Sequence, residues 1–220
     1  EAISKMQKVL EETKIYGITT NIDYLHAFIQ TENYLKGDVW THMLDGFTYS
    51  ENTIEVLDGG LQTTIQDYPA RLKYWDIGVP PSGAMDNFSF RLANILLGNK
   101  AGVPGFEFTL KGGKYKFRAP MTICITGADM APTVDDVAIP MYKPVEVKEN
   151  QVLALGKAST GLRAYMAVKG GLDVPEYLGS ASTFVLGGFG GHSGRNLRTG
   201  NLIHVKKPES IEFPNASVDS

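Results

Sequence analysis

The chain has 220 residues, enough for one large domain or two small ones. A formal net charge of −3, with basic residues scattered along the chain, excludes nucleic-acid binding through a broad cationic field. No stretch reaches the roughly 18 consecutive apolar residues of a membrane-spanning helix, and no signal-like segment opens the sequence.

Residues 2–14 place Ile3, Met6, Val9, Leu10 and Thr13 at spacings of three and four, which predicts an amphipathic helix stopped by Gly17. Thr20-Asn21 offers an N-cap for a second helix with Ile22, Leu25, Phe28 and Ile29 on one face, ending near Tyr34 to Gly37. Two such short helices bury little surface by themselves. Glu1 falls inside a helical pattern and residues 213–220 read as a loop with no closing element, so both ends read as cuts through a longer protein.

From about Asn52 the helical period gives way to short strand-like runs: 53–57, 63–66, 106–110, 115–117, 122–126, 144–147, 152–155, 163–168, 182–186 and 202–205. Turn signals separate them at Gly59-Gly60, Gly112-Gly113, Gly127-Ala128-Asp129, Glu149-Asn150, Ser159-Thr160-Gly161 and Gly170-Gly171. One helix interrupts the strands over 85–97, with Phe88, Leu92, Ile95 and Leu96 sharing a face and Asp86 able to cap its start. Many short strands with one embedded helix predict a mainly β barrel or sandwich-like domain, with a boundary near residue 50. Cys124 lies in an apolar run with no histidine or cation near it in sequence, which predicts buried packing. A lone cysteine also fits a reducing, cytoplasmic compartment. Lys206-Lys207 reads as a solvated strand end.

Three clusters carry chemistry. Asp67-Tyr68-Pro69-Ala70-Arg71 and Gly78-Val79-Pro80-Pro81-Ser82-Gly83-Ala84-Met85-Asp86 form a rigid polar loop. The prolines fix φ and remove donors, while Gly78 and Gly83 admit a close backbone approach. Asp67 and Asp86 either orient Arg71 and accept N–H bonds from a polar substrate, or serve only as a turn partner and a helix cap. The second cluster, 187–195, is glycine-rich and holds His192, Ser193 and Arg195. It lacks the Gly-Lys-Ser/Thr ending of a P-loop and opens no helix, so nucleotide binding is disfavoured, whereas a small anion or carbonyl would suit it. His192 is a functional donor or a structural one. His26 reads as surface, and neither His42 nor His204 has a ligand-type neighbour. No metal-ligand spacing occurs. The third cluster, Lys169-Gly170-Gly171, ends a strand; its lysine contacts a carboxylate or is simply solvated. No Gly-x-Ser-x-Gly elbow exists, which disfavours a serine hydrolase.

Taken in order, these segments resemble the urea carboxylase and urea amidolyase family of biotin-dependent enzymes. Leu10-Glu11-Glu12, residues 15–21, Tyr24-Leu25 and residues 36–41 look like the end of a biotin carboxylase domain, assigned to residues 1–50. Gln66-Asp67 to Arg71, Gly78 to Asp86, Arg91 to Asn94, Leu97-Gly98-Asn99, Glu107 to Leu110, Thr126 to Asp129, Lys169-Gly170-Gly171, Leu178-Gly179-Ser180, Ser182-Thr183-Phe184 and Gly190 to Arg195 look like the start of a KipA-like carboxyltransferase domain, assigned to residues 51–220. Ala70 and Lys169 stand where much of the family has Gly and Arg. No Met-Lys pair of a biotin carrier is present.

The resemblance implies a mainly β, cyclophilin-like β-barrel type of carboxyltransferase domain, incomplete here, after a short helical segment. It implies carboxyl transfer from carboxybiotin to urea to give allophanate. Biotin would sit on a carrier domain, and ATP and Mg in the carboxylase domain, both outside this chain. The partners would be urea and the remaining domains. Asp67, Arg71 and Asp86 would be catalytic, with Arg71 or Arg195 stabilising oxyanion charge. Ser82, Gly83, Lys169, His192 and Arg195 would bind substrate. The base would be the ureido nitrogen of biotin or a protein carboxylate. The alternative is a KipA-like binding module or a 5-oxoprolinase subunit acting without biotin; the N-terminal helices discriminate, because they have meaning only beside a carboxylase.

Overall fold

A computed structural model describes residues 2–13, 15, 20–47, 49 and 51–206; Gly17, Lys207 and the loop at 213–220 lie outside the described residues. The chain divides into two compact units, residues 1–51 and 52–220.

The first unit is helical. Helix α1 spans Ala2–Glu12, α2 Ile22–Phe28 and α3 Glu32–Lys36. The single helix expected over 20–37 is therefore broken. Ile29, the buried residue of this unit, sits at the C-cap of α2, and Thr31 in extended conformation begins α3. Gly37 at φ 78° closes α3 with a left-handed cap. Phe28 and Phe47 meet edge to face at 5.4 Å, and Tyr24 meets Phe47 at 5.3 Å, so aromatic pairs rather than a broad aliphatic stripe hold these short helices. Met6 and Val9 of α1 remain about half exposed.

The second unit is mainly β. Its strands are β1 (Thr53–Asp58), β2 (Gln62–Gln66), β3 (Gly105–Thr109), β4 (Lys114–Phe117), β5 (Met121–Asp129), β6 (Thr133–Val134), β7 (Val137–Ala138), β8 (Val145–Val147), β9 (Val152–Ala154), β10 (Thr160–Val168), β11 (Leu172–Asp173) and β12 (Leu202–Val205), with helix α4 (Asn87–Leu96) between β2 and β3. They form two antiparallel sheets, ordered β11-β12-β1-β4-β9-β6-β7 and β2-β3-β10-β5-β8. Among the described residues neither sheet closes on itself, so the two stand as open sheets rather than a closed barrel.

Residues of period two on the central strands separate two buried faces. Ile123, Ile125, Met166 and Val168 enter the main core with Ile54, Phe106, Phe108, Tyr115 and Phe117. Cys124 and Ala167, on the opposite face, pack with Ala93 and Leu97 beneath α4. These small residues admit the helix, and burial raises the Cys124 thiol to about 11, so it is inert packing as expected.

Three expectations change. The face of α4 that is buried holds Ser89, Phe90, Ala93 and Asn94, whereas Phe88 and Ile95 are exposed. The Asp86 cap and a 2.7 Å hydrogen bond from Thr126 Oγ1 to the Ser89 carbonyl set the rotation. Residues 182–186 form no strand. The Thr183 amide donates to the Ile65 carbonyl, the Ser182 carbonyl accepts from Arg71, and a tight turn follows, in which the Phe184 amide donates to the Phe189 carbonyl. Lastly, Gly127-Ala128-Asp129 lies within β5, and Thr160 and Gly161 open β10, rather than forming turns.

Candidate functional site

Asp67 and Arg71 organise one end of the second unit. The Asp67 carboxylate accepts from the Ser180 hydroxyl at 2.7 Å, the Ala181 amide at 2.7 Å and the Ser182 hydroxyl at 2.5 Å. Its donors are therefore serines and main chain rather than Arg71. The Arg71 side chain is fully buried. Its Nε donates to the Tyr177 carbonyl and its Nη2 to the Ser182 carbonyl, while its Cζ lies 4.9 Å from the centre of the Phe189 ring. Gly190 must be glycine here, because a Cβ would fall 2.0 Å from the Ser182 carbonyl oxygen and 2.9 Å from Arg71 Nη2. The polar loop and the glycine-rich loop are thus one structure. His192 is buried in that loop; burial first, then the charges of Arg195 and His204, hold its imidazole below the ordinary histidine range. Arg195 Nη1 donates to the Asn196 carbonyl and to Asn201 Oδ1.

Loop 81–86 is held by buried polar groups. The Arg71 amide donates to the Pro81 carbonyl, and the Gly83 amide to Gln66 Oε1. The Met85 amide donates to Glu107 Oε2, and the Asp86 amide to the Tyr165 hydroxyl, which itself donates to Glu107 Oε2 at 3.1 Å. Ser82 (φ 60°) and Gly83 (φ 89°) take the left-handed bend. Asp86 Oδ1 then caps α4 by accepting from the Phe88 and Ser89 amides, while Oδ2 accepts from the Ser89 hydroxyl at 2.5 Å. The Ser89 hydroxyl bond, joined by the two amides, outweighs burial and holds the Asp86 carboxyl below its usual range. Asp86 is therefore a poor base and a persistent hydrogen-bond acceptor.

The other wall of this loop is a cleft of about 440 Å³ lined by Asp86, Ser89, Gly127, Tyr142, Gly161 and Arg163, among others. It exists because β5 and β10 part company. Thr160 pairs with Asp129 and Ala164 with Gly127, so β10 carries two extra residues, and Gly161, Leu162 and Arg163 drop out of the ladder with β5. The Tyr142 hydroxyl accepts from the Gly127 amide and donates to its carbonyl, satisfying the backbone groups this opening strands. Lys169 does not line this cleft; it lies in a second one of about 400 Å³ with Glu146, Lys148 and Lys206. The sequence-derived residues are thus divided among the Asp67–Arg71 hub, the Asp86 cleft and the Lys169 cleft. Gln66 and Glu107 entered the sequence analysis only as members of segments that carry the resemblance, with no role assigned, and Tyr165 and Arg163 were not singled out. A further signal was legible in the acid Glu107 standing between the apolar Phe106 and Phe108. Among the described residues no group of acids, histidines or cysteines could hold a metal, and no helix is long and apolar enough to cross a membrane.

Two open antiparallel sheets with a capped helix beside a polar cleft define a mainly β domain of the carboxyltransferase type. The chain belongs to the family of carboxyltransferase domains, subdomains A and B, which matches residues 77–219. It is homologous to the urea amidolyases. Identity to the urea amidolyase of Saccharomyces cerevisiae is 48% over 209 residues, which is 95% of this chain and 11% of that protein. The crystal structure of Kluyveromyces lactis urea carboxylase superposes with a TM-score of 0.89 at 44% identity, covering 97% of this chain and 19% of that one. A 5-oxoprolinase subunit of Haemophilus influenzae is 36% identical over 152 residues, 69% of this chain and 49% of that protein. The chain therefore spans only about a ninth of its yeast relative.

Proposed function

We propose that this chain is a segment of a multidomain, biotin-dependent urea carboxylase, a ligase that carboxylates urea to allophanate in the cytoplasm. Residues 1–50 are the end of its biotin carboxylase domain and residues 51–220 the beginning of its carboxyltransferase domain. The observation that carries this reading is the continuous likeness to urea amidolyase through both units. The likeness to the 5-oxoprolinase subunit is shorter by about the length of the first unit, which favours the urea enzyme over the biotin-free reading.

Biotin, on its carrier outside this chain, supplies the carboxyl group; ATP and Mg act in the carboxylase domain. This chain's part is to bind and orient the acceptor. Urea is small and neutral, with N–H donors and one carbonyl, so its site needs fixed acceptors and a donor. Asp86, held ionised at the start of α4, accepts an N–H. Its low basicity assigns proton removal to another group. Asp67 and Arg71 act by positioning the loop that carries Ser82, Gly83 and Asp86, and His192 and Arg195 set the facing glycine-rich loop. Lys169 attracts an acidic group of a neighbouring domain to the second cleft.

The test is urea-dependent ATP hydrolysis by the full-length, biotinylated protein. We expect turnover in the wild type and a loss of about 10- to 100-fold in kcat/KM for Asp86→Asn, which keeps the cap but removes the charge. No turnover with urea would sink the reading; unchanged kcat/KM in the variant would remove Asp86 from the site.

A further inference from the structure

Among the described residues of the second unit, Arg163 is the charged side chain with the most buried donors lacking a partner. Four-fifths buried, it stands on the bulged part of β10 and is among the residues that line the cleft Asp86 shares. Its Nε and Nη1 are buried and make no hydrogen bond. Among the described residues its charge partner is Glu107, whose Oε1 lies 3.6 Å from Nε, beyond hydrogen-bond range. Glu107 is not free to turn toward it, because its other oxygen accepts from the Met85 amide and the Tyr165 hydroxyl. Buried donors without acceptors are costly, so a native fold that retains them calls for an explanation, and a bound ligand is one that a neighbouring cleft can supply.

The charges around the guanidinium select the ligand. Arg163 has Glu107 3.6 Å from its Nε and shares the cleft lining with a second carboxylate, Asp86, so a bare anion gains little here. A neutral dipolar molecule gains at both ends: its carbonyl oxygen accepts from the guanidinium, and its N–H groups donate to Asp86. The β10 bulge shapes the cleft, and Gly127 lets the bulged backbone pack close behind it, since a Cβ there would lie 2.5 Å from the Arg163 carbonyl oxygen. We infer that Arg163 and Asp86 form a subsite for a small neutral amide, with Arg163 on its carbonyl oxygen. This rests on the urea carboxylase reading for the identity of the amide as urea, and it gives that reading the donor that buried Arg71 does not offer to the cleft.

The experiment uses the full-length, biotinylated protein with R163Q and R163K. Urea-dependent ATP hydrolysis is measured beside bicarbonate-dependent ATP hydrolysis without urea, and N-methylurea binding is followed by saturation-transfer NMR. We expect R163Q to lower kcat/KM for urea about 10- to 100-fold, the effect of losing a charge-assisted hydrogen bond, with the urea-independent rate unchanged and the N-methylurea signal lost. R163K, which keeps the charge but not the planar fork, should fall between. Wild-type kcat/KM and an unaltered N-methylurea signal in R163Q would overturn the subsite. If R163Q loses the urea-independent rate as well, R163K decides by the same two criteria. If the wild type turns over no urea, the urea carboxylase reading fails, and N-methylurea binding that depends on Arg163 still supports the subsite, whereas its absence from the wild type overturns it.

Discussion

Ala70 stands in a conformation its side chain does not favour. It holds φ at 70°, in the left-handed region, between Pro69 and the buried Arg71. That conformation costs an alanine about 1–2 kcal/mol, and a glycine there would lose about 0.5–1 kcal/mol in unfolded-chain entropy. Ala70→Gly should therefore raise stability by about 0.5–1 kcal/mol and the unfolding midpoint by a few degrees; a lower midpoint would refute the argument. This explains why the family resemblance leads one to expect glycine there. His192 supports a second prediction. Buried and held below its ordinary pKa of about 6.5, it is neutral in the fold when the unfolded chain has begun to take up a proton. Its contribution is intact above about pH 6.5 and is lost as pH falls from there toward its lowered value. His192→Gln should flatten the decline in stability between pH 7.5 and 5.5, measured by denaturant unfolding at each pH. An equal decline in both proteins would remove His192 as its source.

At the scale of elements, helix α4 shows what a sequence does and does not reveal. Its existence, limits and Asp86 cap were all legible, because a cap and a 3.6-residue period are local. Its rotation was not. Phe88, Leu92 and Ile95 make an apolar stripe, yet the sheet beneath offers Cys124 and Ala167, small enough to receive Ala93 and Leu97, and a hydroxyl, Thr126, to receive the Ser89 carbonyl. Tertiary fit overrode the stripe. Phe90, buried and edge-to-face with Tyr165 at 5.9 Å, should cost about 3–5 kcal/mol on replacement by alanine, whereas Phe88→Ser should change stability by no more than about 0.5 kcal/mol. Urea or guanidinium unfolding of both variants distinguishes the two rotations, and equal losses would contradict the observed one. The strand runs were mostly legible through β-branched and aromatic residues. The bulge at 161–163 was not, since glycines in strand and turn look alike until the partner strand is known. For the same reason the cleft and Arg163 were hidden, although Asp86 was found.

For the whole molecule, the question is how loops more than a hundred residues apart hold together in a chain whose lone cysteine forms no internal disulfide. Arg71 is the answer at one end of the second unit. Its two hydrogen bonds reach carbonyls 106 and 111 residues along the chain, and the Phe189 ring covers its charge. Asp67 binds the same far segment through Ser180, Ala181 and Ser182. Both residues were visible in the sequence as a motif, but their roles were not, because their partners are mostly main-chain groups that no motif displays. Arg71→Met keeps much of the volume and removes both donors. Each abandoned carbonyl costs about 1–3 kcal/mol, so the loss of about 2–6 kcal/mol is a large share of a typical stability of about 5–15 kcal/mol. The Thr183 and Gly191 amides, bonded to the Ile65 and Ala181 carbonyls, should exchange with solvent faster in the same variant, since the loops separate together. Arg91→Met, which removes an exposed guanidinium from the Tyr68 ring, should shift stability by no more than about 1 kcal/mol. If Arg71→Met unfolded at the wild-type midpoint with unchanged exchange at those amides, Arg71 would not be the tie, and its burial would need another cause.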